Sequence, residues 1–454
     1  MSAEMHPALR LFVGFSLVML LGALVLGLLA ALAFLLPALE LPFVQLRPMH
    51  VSAALFWIIT AATAGIIHYK EAVFGRRPVA AGLLVFMILW MVTVAAVFVA
   101  YGMRRFGGRE YWEFPPWLCL PILVAWVLWI AVYLRSWRAR PRPAPMYVWM
   151  WTTGIMFFLV TFLEQNLYWI PWFRDTFLRE ISVQWKSNGA MVGAWNQMIY
   201  GTALFLMVRI SGDERLAHGR KVFFFWFLGL SNLMFNWGHH IYNVPTASWI
   251  RHVAYAISMT EWIFFVSIIR GFKARLAEHR RLEHLLTYRF LTASELWVFL
   301  NLLLALLMSI PAINRYTHGT HITVAHAMGA TIGINTMILL AVLGHMLRID
   351  ERPPTSRRWI MIGLNIALIS LLVFWLALIA AGALKGYRSI ALDIADHQRM
   401  MGPVNRALYA FTIAGLGVVA GLGTIALIYL RALWGSTDLE VAALAEEQLP
   451  SNDP

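Results

Sequence analysis

The sequence predicts an all-α protein that crosses a membrane many times. Hydrophobic residues make up 60% of its 454 residues and charged residues only 13%, whereas soluble proteins are typically about 45–50% apolar and about 25% charged. The apolar residues fall in runs long enough to cross a bilayer, for which an α-helix needs about 20 residues. The basic residues lie in short loops between these runs rather than on one face, which excludes a nucleic-acid-binding surface.

Twelve apolar runs predict twelve transmembrane helices. Their approximate bounds are 8–36, 51–69, 79–102, 116–134, 146–171, 189–208, 222–241, 249–269, 290–312, 321–347, 359–384 and 405–430. The first run is long and lacks a small-residue cleavage site, so we expect a helix rather than a signal peptide. The predicted domains are therefore one membrane domain, 1–434, and an acidic polar tail, 435–454, that is expected to be disordered.

The loops indicate how the helices are oriented. Loops on the N-terminal side carry most of the Lys and Arg residues, including the six between Arg270 and Arg289. Because positively charged loops stay in the cytoplasm, both termini are predicted to be cytoplasmic. We call the opposite side of the bundle the outer face.

Polar side chains within the predicted spans gather mostly in their outer halves. They are His50, Glu164, Asn188, His239, His240, His326 and, nearer the middle of its span, Glu261. An ionisable group at a helix centre costs about 2.5–3.5 kcal/mol on insertion scales, so each is a functional hypothesis. Neutral imidazole is the commonest nitrogen ligand of metals, and four histidines at one depth predict a metal or haem site. The alternative for any single histidine is a hydrogen bond to a backbone carbonyl, which we expect for His68, His252, His321 and His345.

The sharpest local pattern is His326-Ala327-Met328 in the tenth span. Residues two apart on an α-helix point about 200° apart, towards opposite sides. One helix could therefore separate two cofactors, with His326 bound to one iron and Met328 to the other. The alternative is that Met328 is apolar filler, a common role of methionine.

Several motifs in this order resemble one family. They are Met49-His50, Gly108-Arg-Glu110-Tyr-Trp-Glu113-Phe-Pro, Trp237-Gly-His239-His240, Ser258-Met-Thr-Glu261 and Gly319-Thr-His-Ile-Thr-Val-Ala-His326-Ala-Met328. Over nearly its whole length the chain is similar to the catalytic large subunit of bacterial cytochrome c-dependent nitric oxide reductase, within the haem–copper oxidase superfamily. The resemblance implies a twelve-helix, subunit I-like bundle in the bacterial inner (cytoplasmic) membrane.

The resemblance also implies two b-type haems and a non-haem iron or another metal. His326 looks like the ligand of a high-spin haem, and His50 looks like one ligand of a low-spin haem. Met328 stands where the family has the second histidine of that haem, and a His50 and Met328 pair would still hold a low-spin haem. His239 and His240 look like two of the three histidines on the non-haem iron.

Carboxylates complete the site that the resemblance implies. Glu261 resembles a glutamate near the iron, and Glu110 or Glu113 resembles a carboxylate that holds calcium. We expect protons to arrive from outside through Glu164 and Glu261, without pumping, because the inner halves of the spans show no chain of ionisable groups.

The chain departs from the family at three positions of the non-haem iron site. Asn188 stands where the family has its third iron histidine, Val192 at the iron-bound glutamate, and Asn196 near a second glutamate. An Asn oxygen is a weaker and harder ligand than imidazole. We expect Asn188 to be a weak ligand, so the iron could be held loosely or replaced by another metal.

Three functions remain open at this point. The chain could reduce NO to N2O with electrons from a membrane-anchored cytochrome c subunit on the outer face, or carry out altered chemistry on NO or O2, as an NO dismutase or an oxidase would. It could also be a haem protein for electron transfer or sensing without a working metal site. A transporter is the competing class, but its broken helices and polar groups at the midplane do not match the off-centre cluster seen here.

Overall fold

The computed structural model describes residues 5–75, 81–242 and 244–434, with only the backbone of residues 37, 236 and 258–266. The described residues form α-helices joined by short 3₁₀ and π segments, with no β-strand among them. The α-helices are α1 Pro7–Leu35, α2 Phe43–Phe74, α3 Ala81–Gly102, α4 Cys119–Trp137, α5 Met146–Gln165, α6 Pro171–Arg174, α7 Phe177–Ser211, α8 Arg220–Phe235, α9 Ser248–Arg275, α10 Glu278–Glu283, α11 Leu285–Ser309, α12 Pro311–Thr317, α13 His321–Met328, α14 Met337–Met346, α15 Pro354–Gly386 and α16 His397–Trp434. The tail predicted for 435–454 lies outside the described residues.

The predicted helical membrane bundle is confirmed. Ten helical segments in the described part of the chain are long and apolar enough to cross a membrane. The other two predicted spans correspond to α8 and α9. With 16 residues, α8 is about 24 Å long, and the 3₁₀ segment Asn236–Ile241 extends it. The seventh span is therefore not α-helical through 241, as the sequence suggested, but changes to the tighter 3₁₀ form at Asn236.

The most buried elements lie at the centre of the bundle. They are α2, α7 and the tenth span, which comprises α13, the π segment Gly329–Thr336 and α14. The indole Nε1 of Trp57 on α2 donates to the hydroxyl of Thr336, 3.0 Å away. Because this hydrogen bond is buried between α2 and the tenth span, it fixes how far one helix is displaced along the other.

The π segment changes the helix immediately after Met328. A π segment adds a residue per turn and often occurs at functional sites. Here it brings Gly333 against the ring of Trp297 on α11, where a Cβ would lie 2.4 Å from ring atoms. Only glycine permits this close approach between the tenth span and α11.

Candidate functional site

His50 is held by α1 in a defined orientation. Its Nδ1 lies 2.8 Å from the carbonyl oxygen of Ala23. A Cβ on Gly27 would lie 2.7 Å from both Cε1 and Nδ1 of the same ring. Since a carbonyl can only accept, Nδ1 carries the proton and Nε2 keeps its lone pair for a metal, the usual arrangement of a ligating histidine.

Met328 lies at nearly the same depth as His50. Starting from the Trp57–Thr336 hydrogen bond, His50 is seven residues towards the outer face on α2, or about 10.5 Å at 1.5 Å per residue. Met328 is eight residues towards the outer face on the tenth span, which is less than the about 12 Å of an α-helix because these residues form the π segment. Met328 is half-buried and packs against the apolar core. His50 and Met328 are the residues that would hold a low-spin haem at this depth.

The tenth span presents different faces to α2 and α11. Thr336 bonds to α2, whereas Gly329 and Gly333 abut Asn301 and Trp297 of α11. His326 belongs to the α11 side, because Gly329, one helical turn further along the tenth span, abuts Asn301. The Nδ1 of His326 is buried and has no hydrogen-bond partner among the described residues. The other ring nitrogen is the one that would bind an iron, on the side of the helix away from Met328.

The two consecutive histidines form a compact pair on the 3₁₀ segment. The ring centroids of His239 and His240 are 4.3 Å apart and their planes are inclined by 30°. Gly189 of α7 makes room for this pair, since a Cβ there would be 2.7 Å from Cδ2 of His240. His240 also interacts electrostatically with His326 and with His318. The structure therefore pairs His239 with His240, two of the four histidines that the sequence predicted at one depth.

Asn188 forms its hydrogen bonds on another side of α7. Gln165 of α5 donates to its Oδ1, and its Nδ2 donates to Glu110 Oε2 over 3.3 Å. The residue of α7 that meets His240 is instead Gly189, and Val192 follows Gly189 by three positions on the same face. Asn196 accepts a 3.1 Å hydrogen bond from Asn335. Among the described residues, no group of three or more His, Cys, Asp or Glu side chains is placed to hold a metal.

Glu164 is connected through a lysine to Trp237, which lies next to the histidine pair in the sequence. It forms an ion pair with Lys186, whose Nζ lies 5.8 Å from the ring centre of Trp237, two residues before His239. The second oxygen of Glu164 is buried without a partner in the described part of the protein. Glu261 lies on α9, and its side chain is outside the described residues.

The loop between α3 and α4 carries the predicted calcium ligands. Glu113 pairs with Arg47 of α2, and Glu110 bonds to Asn188. Burial raises the pKa of Glu110, Arg47 opposes this effect and Glu113 adds to it. Burial likewise raises the pKa of Glu113, again opposed by Arg47. Two desolvated carboxylates fit a cation such as calcium, although Arg47 already neutralises one of them.

The sequence analysis missed the residues that position the histidines. Gly27 and Gly189 make room for His50 and His240, and Gln165 and Lys186 hold Asn188 and Glu164. A glycine inside a membrane helix was the available signal, because it marks a close approach. The sequence does not indicate which side chain approaches each of these glycines.

Comparisons with known proteins indicate the family of this chain. A family model described as cytochrome c and quinol oxidase polypeptide I matches residues 8–419. A nitric oxide reductase subunit from Stutzerimonas stutzeri is 22% identical over 95% of both chains. Cytochrome c oxidase subunit 1 of Rhodobacter capsulatus is 24% identical over 75% of this chain and 64% of its own length.

The fold comparison gives the same result. The cryo-EM structure of a heme-copper terminal oxidase dimer superposes with a TM-score of 0.73 at 10% identity, covering 95% of this chain and 85% of the other. Because the family model spans most of the residues, the family is established. The chain belongs to the family of cytochrome c and quinol oxidase polypeptide I, the haem–copper oxidase subunit I family.

Proposed function

We propose that this respiratory membrane oxidoreductase reduces two NO molecules, with two electrons and two protons, to N2O and water. The observation that carries the proposal is the close pairing of the His239 and His240 imidazoles, beside which the family resemblance places a haem on His326. Two neighbouring imidazoles can hold a metal beside a haem on His326. The similarity to the Stutzerimonas nitric oxide reductase subunit over nearly the full length of both chains supports this choice.

The bound haem and metal would supply electron transfer and Lewis-acid activation of NO. The protein contributes two metal ligands, His239 and His240, and an apolar side chain, Val192, on the adjoining face of α7. Asn188 does not serve as a third protein ligand of the metal in this proposal, because both polar ends of its side chain are bonded elsewhere. We therefore infer that Asn188 supports the site from behind and that water or substrate completes the coordination.

Protons reach the site from the outer face in this proposal. Glu164 and Lys186 connect the outer end of α5 with Trp237, next to the histidine pair. Glu261 belongs to the same route by the family resemblance. Proteoliposomes should therefore show no net acidification outside during turnover, and sustained acidification would contradict an outside source.

Electrons come from a cytochrome c subunit on the outer face. His50, the ligand nearest that face on α2, lies three residues from Arg47, whose partner Glu113 belongs to the loop 108–116. We propose that this loop and the start of α2 receive the donor, with both chain termini in the cytoplasm of a bacterial cell. Calcium at Glu110 and Glu113 would brace the same loop.

Oxygen reduction or altered NO chemistry is the second candidate. Val192 and the two-histidine pair favour it, because a site with fewer protein ligands tolerates another metal or an open coordination position. The similarity to cytochrome c oxidase subunit 1 supports O2 as a substrate. A haem protein without a working metal site is the remaining alternative.

The experiment compares NO and O2 consumption by the purified complex with its metal content. Replacing His239 and His240 together by alanine should abolish NO consumption and remove the non-haem metal while both haems remain. His252→Ala is the matched control, because this exposed histidine bonds to the carbonyl of Ser248 in its own helix. Consumption of O2 but not NO by wild type would favour the second candidate.

Two variants that introduce the family's residues at positions 192 and 188 test which face of α7 is turned towards the metal site. Val192→Glu should make the non-haem metal harder to remove with a chelator, because position 192 lies on the face of Gly189. Asn188→His should not, because position 188 points to Gln165 and Glu110. The opposite pattern would show that Asn188 faces the metal.

A further inference from the structure

Three buried polar side chains converge beside His326. They are Trp297 and Asn301 on α11 and Trp375 on α15, with exposed fractions of 1%, 2% and 7%. Trp297 Nε1, Trp375 Nε1 and Asn301 Oδ1 have no hydrogen-bond partner among the described residues. Buried polar atoms in membrane-spanning helices are normally satisfied, because no solvent water reaches them.

Two of these atoms lie beside one point of the tenth span. At Gly329, a Cβ would lie 2.4 Å from Asn301 Oδ1 and 3.1 Å from Trp375 Nε1. The two atoms are therefore at most 5.5 Å apart, the sum of these distances. Trp297 packs edge-on against Trp375, with ring centres 5.8 Å apart and planes at 83°. Only glycine at position 329 lets Asn301 and Trp375 come this close to the tenth span.

The chemistry of the pocket selects its ligand. Two indole N–H groups can only donate, and the amide oxygen of Asn301 can only accept. A molecule that satisfies all three must both accept and donate, and it must be small enough to fit between Asn301 Oδ1 and Trp375 Nε1, which are at most 5.5 Å apart. A water molecule with hydrogen bonds of about 2.8 Å meets these conditions.

We propose that Trp297, Asn301 and Trp375 form a water-binding pocket that positions the imidazole of His326. Asn301 provides the link, because its side chain abuts Gly329, one helical turn after His326, whose Nδ1 is buried without a partner among the described residues. A water in the pocket can hydrogen-bond to that nitrogen, and such outer partners tune a ligated metal. The inference rests on the proposed function, in which His326 binds the high-spin haem.

The iron–histidine stretching band in the resonance Raman spectrum of the reduced high-spin haem tests this inference. Trp297→Phe and Trp375→Phe each remove one N–H donor and keep an aromatic ring. Each should shift the band and change the oxidised-to-reduced ratio of this haem at least threefold at a fixed potential. The wild-type band should also shift in D2O, and the double variant should lose that sensitivity.

Trp129→Phe is the matched control. Trp129 is also fully buried on α4 with an unpartnered Nε1 in the described structure, but it lies against Phe86 and not against the tenth span. Bands in Trp297→Phe and Trp375→Phe that match Trp129→Phe would overturn the inference. A normal wild-type band without NO consumption would overturn the proposed function and leave the pocket standing. Absence of the band from wild type would overturn both.

Discussion

Replacing Gly27 by alanine should displace His50 and disturb the low-spin haem. The added Cβ would lie 2.7 Å from Cε1 and Nδ1 of the ring, whereas contacts below 3.4 Å are already tight. The ring must therefore retreat by about 0.7 Å, which lengthens the 2.8 Å hydrogen bond to Ala23 to about 3.5 Å, the limit for such a bond.

The expected loss follows from that displacement. A hydrogen bond contributes about 0.5–1.5 kcal/mol, and loss of an outer partner of a metal-bound histidine typically costs about 10–100-fold in affinity. Alanine regains about 1 kcal/mol of helix propensity, so the helix itself should persist. We expect loss or broadening of the low-spin α-band and weaker haem retention.

The assay is the reduced-minus-oxidised spectrum, with haem content measured on the same sample. Gly22→Ala in the same helix is the control, because nothing lies within 4 Å of a Cβ at that position. If Gly27→Ala and Gly22→Ala have the same low-spin spectrum and haem content, α1 does not hold a haem ligand at His50.

Three further predictions address the other parts of the site. Met328→His should lower the midpoint potential of the low-spin haem in a redox titration, because a thioether ligand raises the potential; an unchanged potential would remove Met328 from the ligands. Gly189→Ala, whose Cβ would lie 2.7 Å from Cδ2 of His240, should reduce the non-haem metal per haem, whereas Gly219→Ala, with its nearest atom 3.8 Å away, should not. Glu110→Gln should raise the melting temperature at pH 7 without calcium, because burial raises the pKa of this carboxyl and the folded state therefore disfavours its ionised form above that pKa. The gain should vanish as the pH falls through the raised pKa and the wild-type carboxyl becomes neutral, and a lower melting temperature at pH 7 would contradict it.

Much of the bundle could be predicted from the sequence because a bilayer imposes a simple rule. Uninterrupted apolar runs must become helices that satisfy their own backbone groups. Changes of helix type could not be predicted in this way. The 3₁₀ segment that carries His239 and His240, and the π segment after Met328, have the composition of ordinary helix, and only packing against neighbouring helices decides their form.

The residues of the candidate site could be proposed from the sequence, whereas their geometry could not. Depth in the membrane grouped His239, His240 and His326 as one predicted site, since depth follows from position in a span, and in the structure His239 and His240 pack as a pair. The direction in which a residue points around the helix axis does not follow from its position in a span. Asn188 was therefore expected at the metal, although its amide bonds to Gln165 and Glu110. The Trp297–Asn301–Trp375 pocket was invisible, because buried tryptophans are common in apolar sequences and only the structure shows their unpartnered atoms.

The central claim is that the His239–His240 pair holds a metal beside the haem on His326. The most direct test is the ratio of non-haem metal to haem in the purified complex, measured for wild type and for the double alanine variant at His239 and His240. We predict one non-haem metal for the two haems of this chain in wild type, and none in a variant that keeps both haems. A wild type without this metal, or a variant that retains it, would contradict the claim.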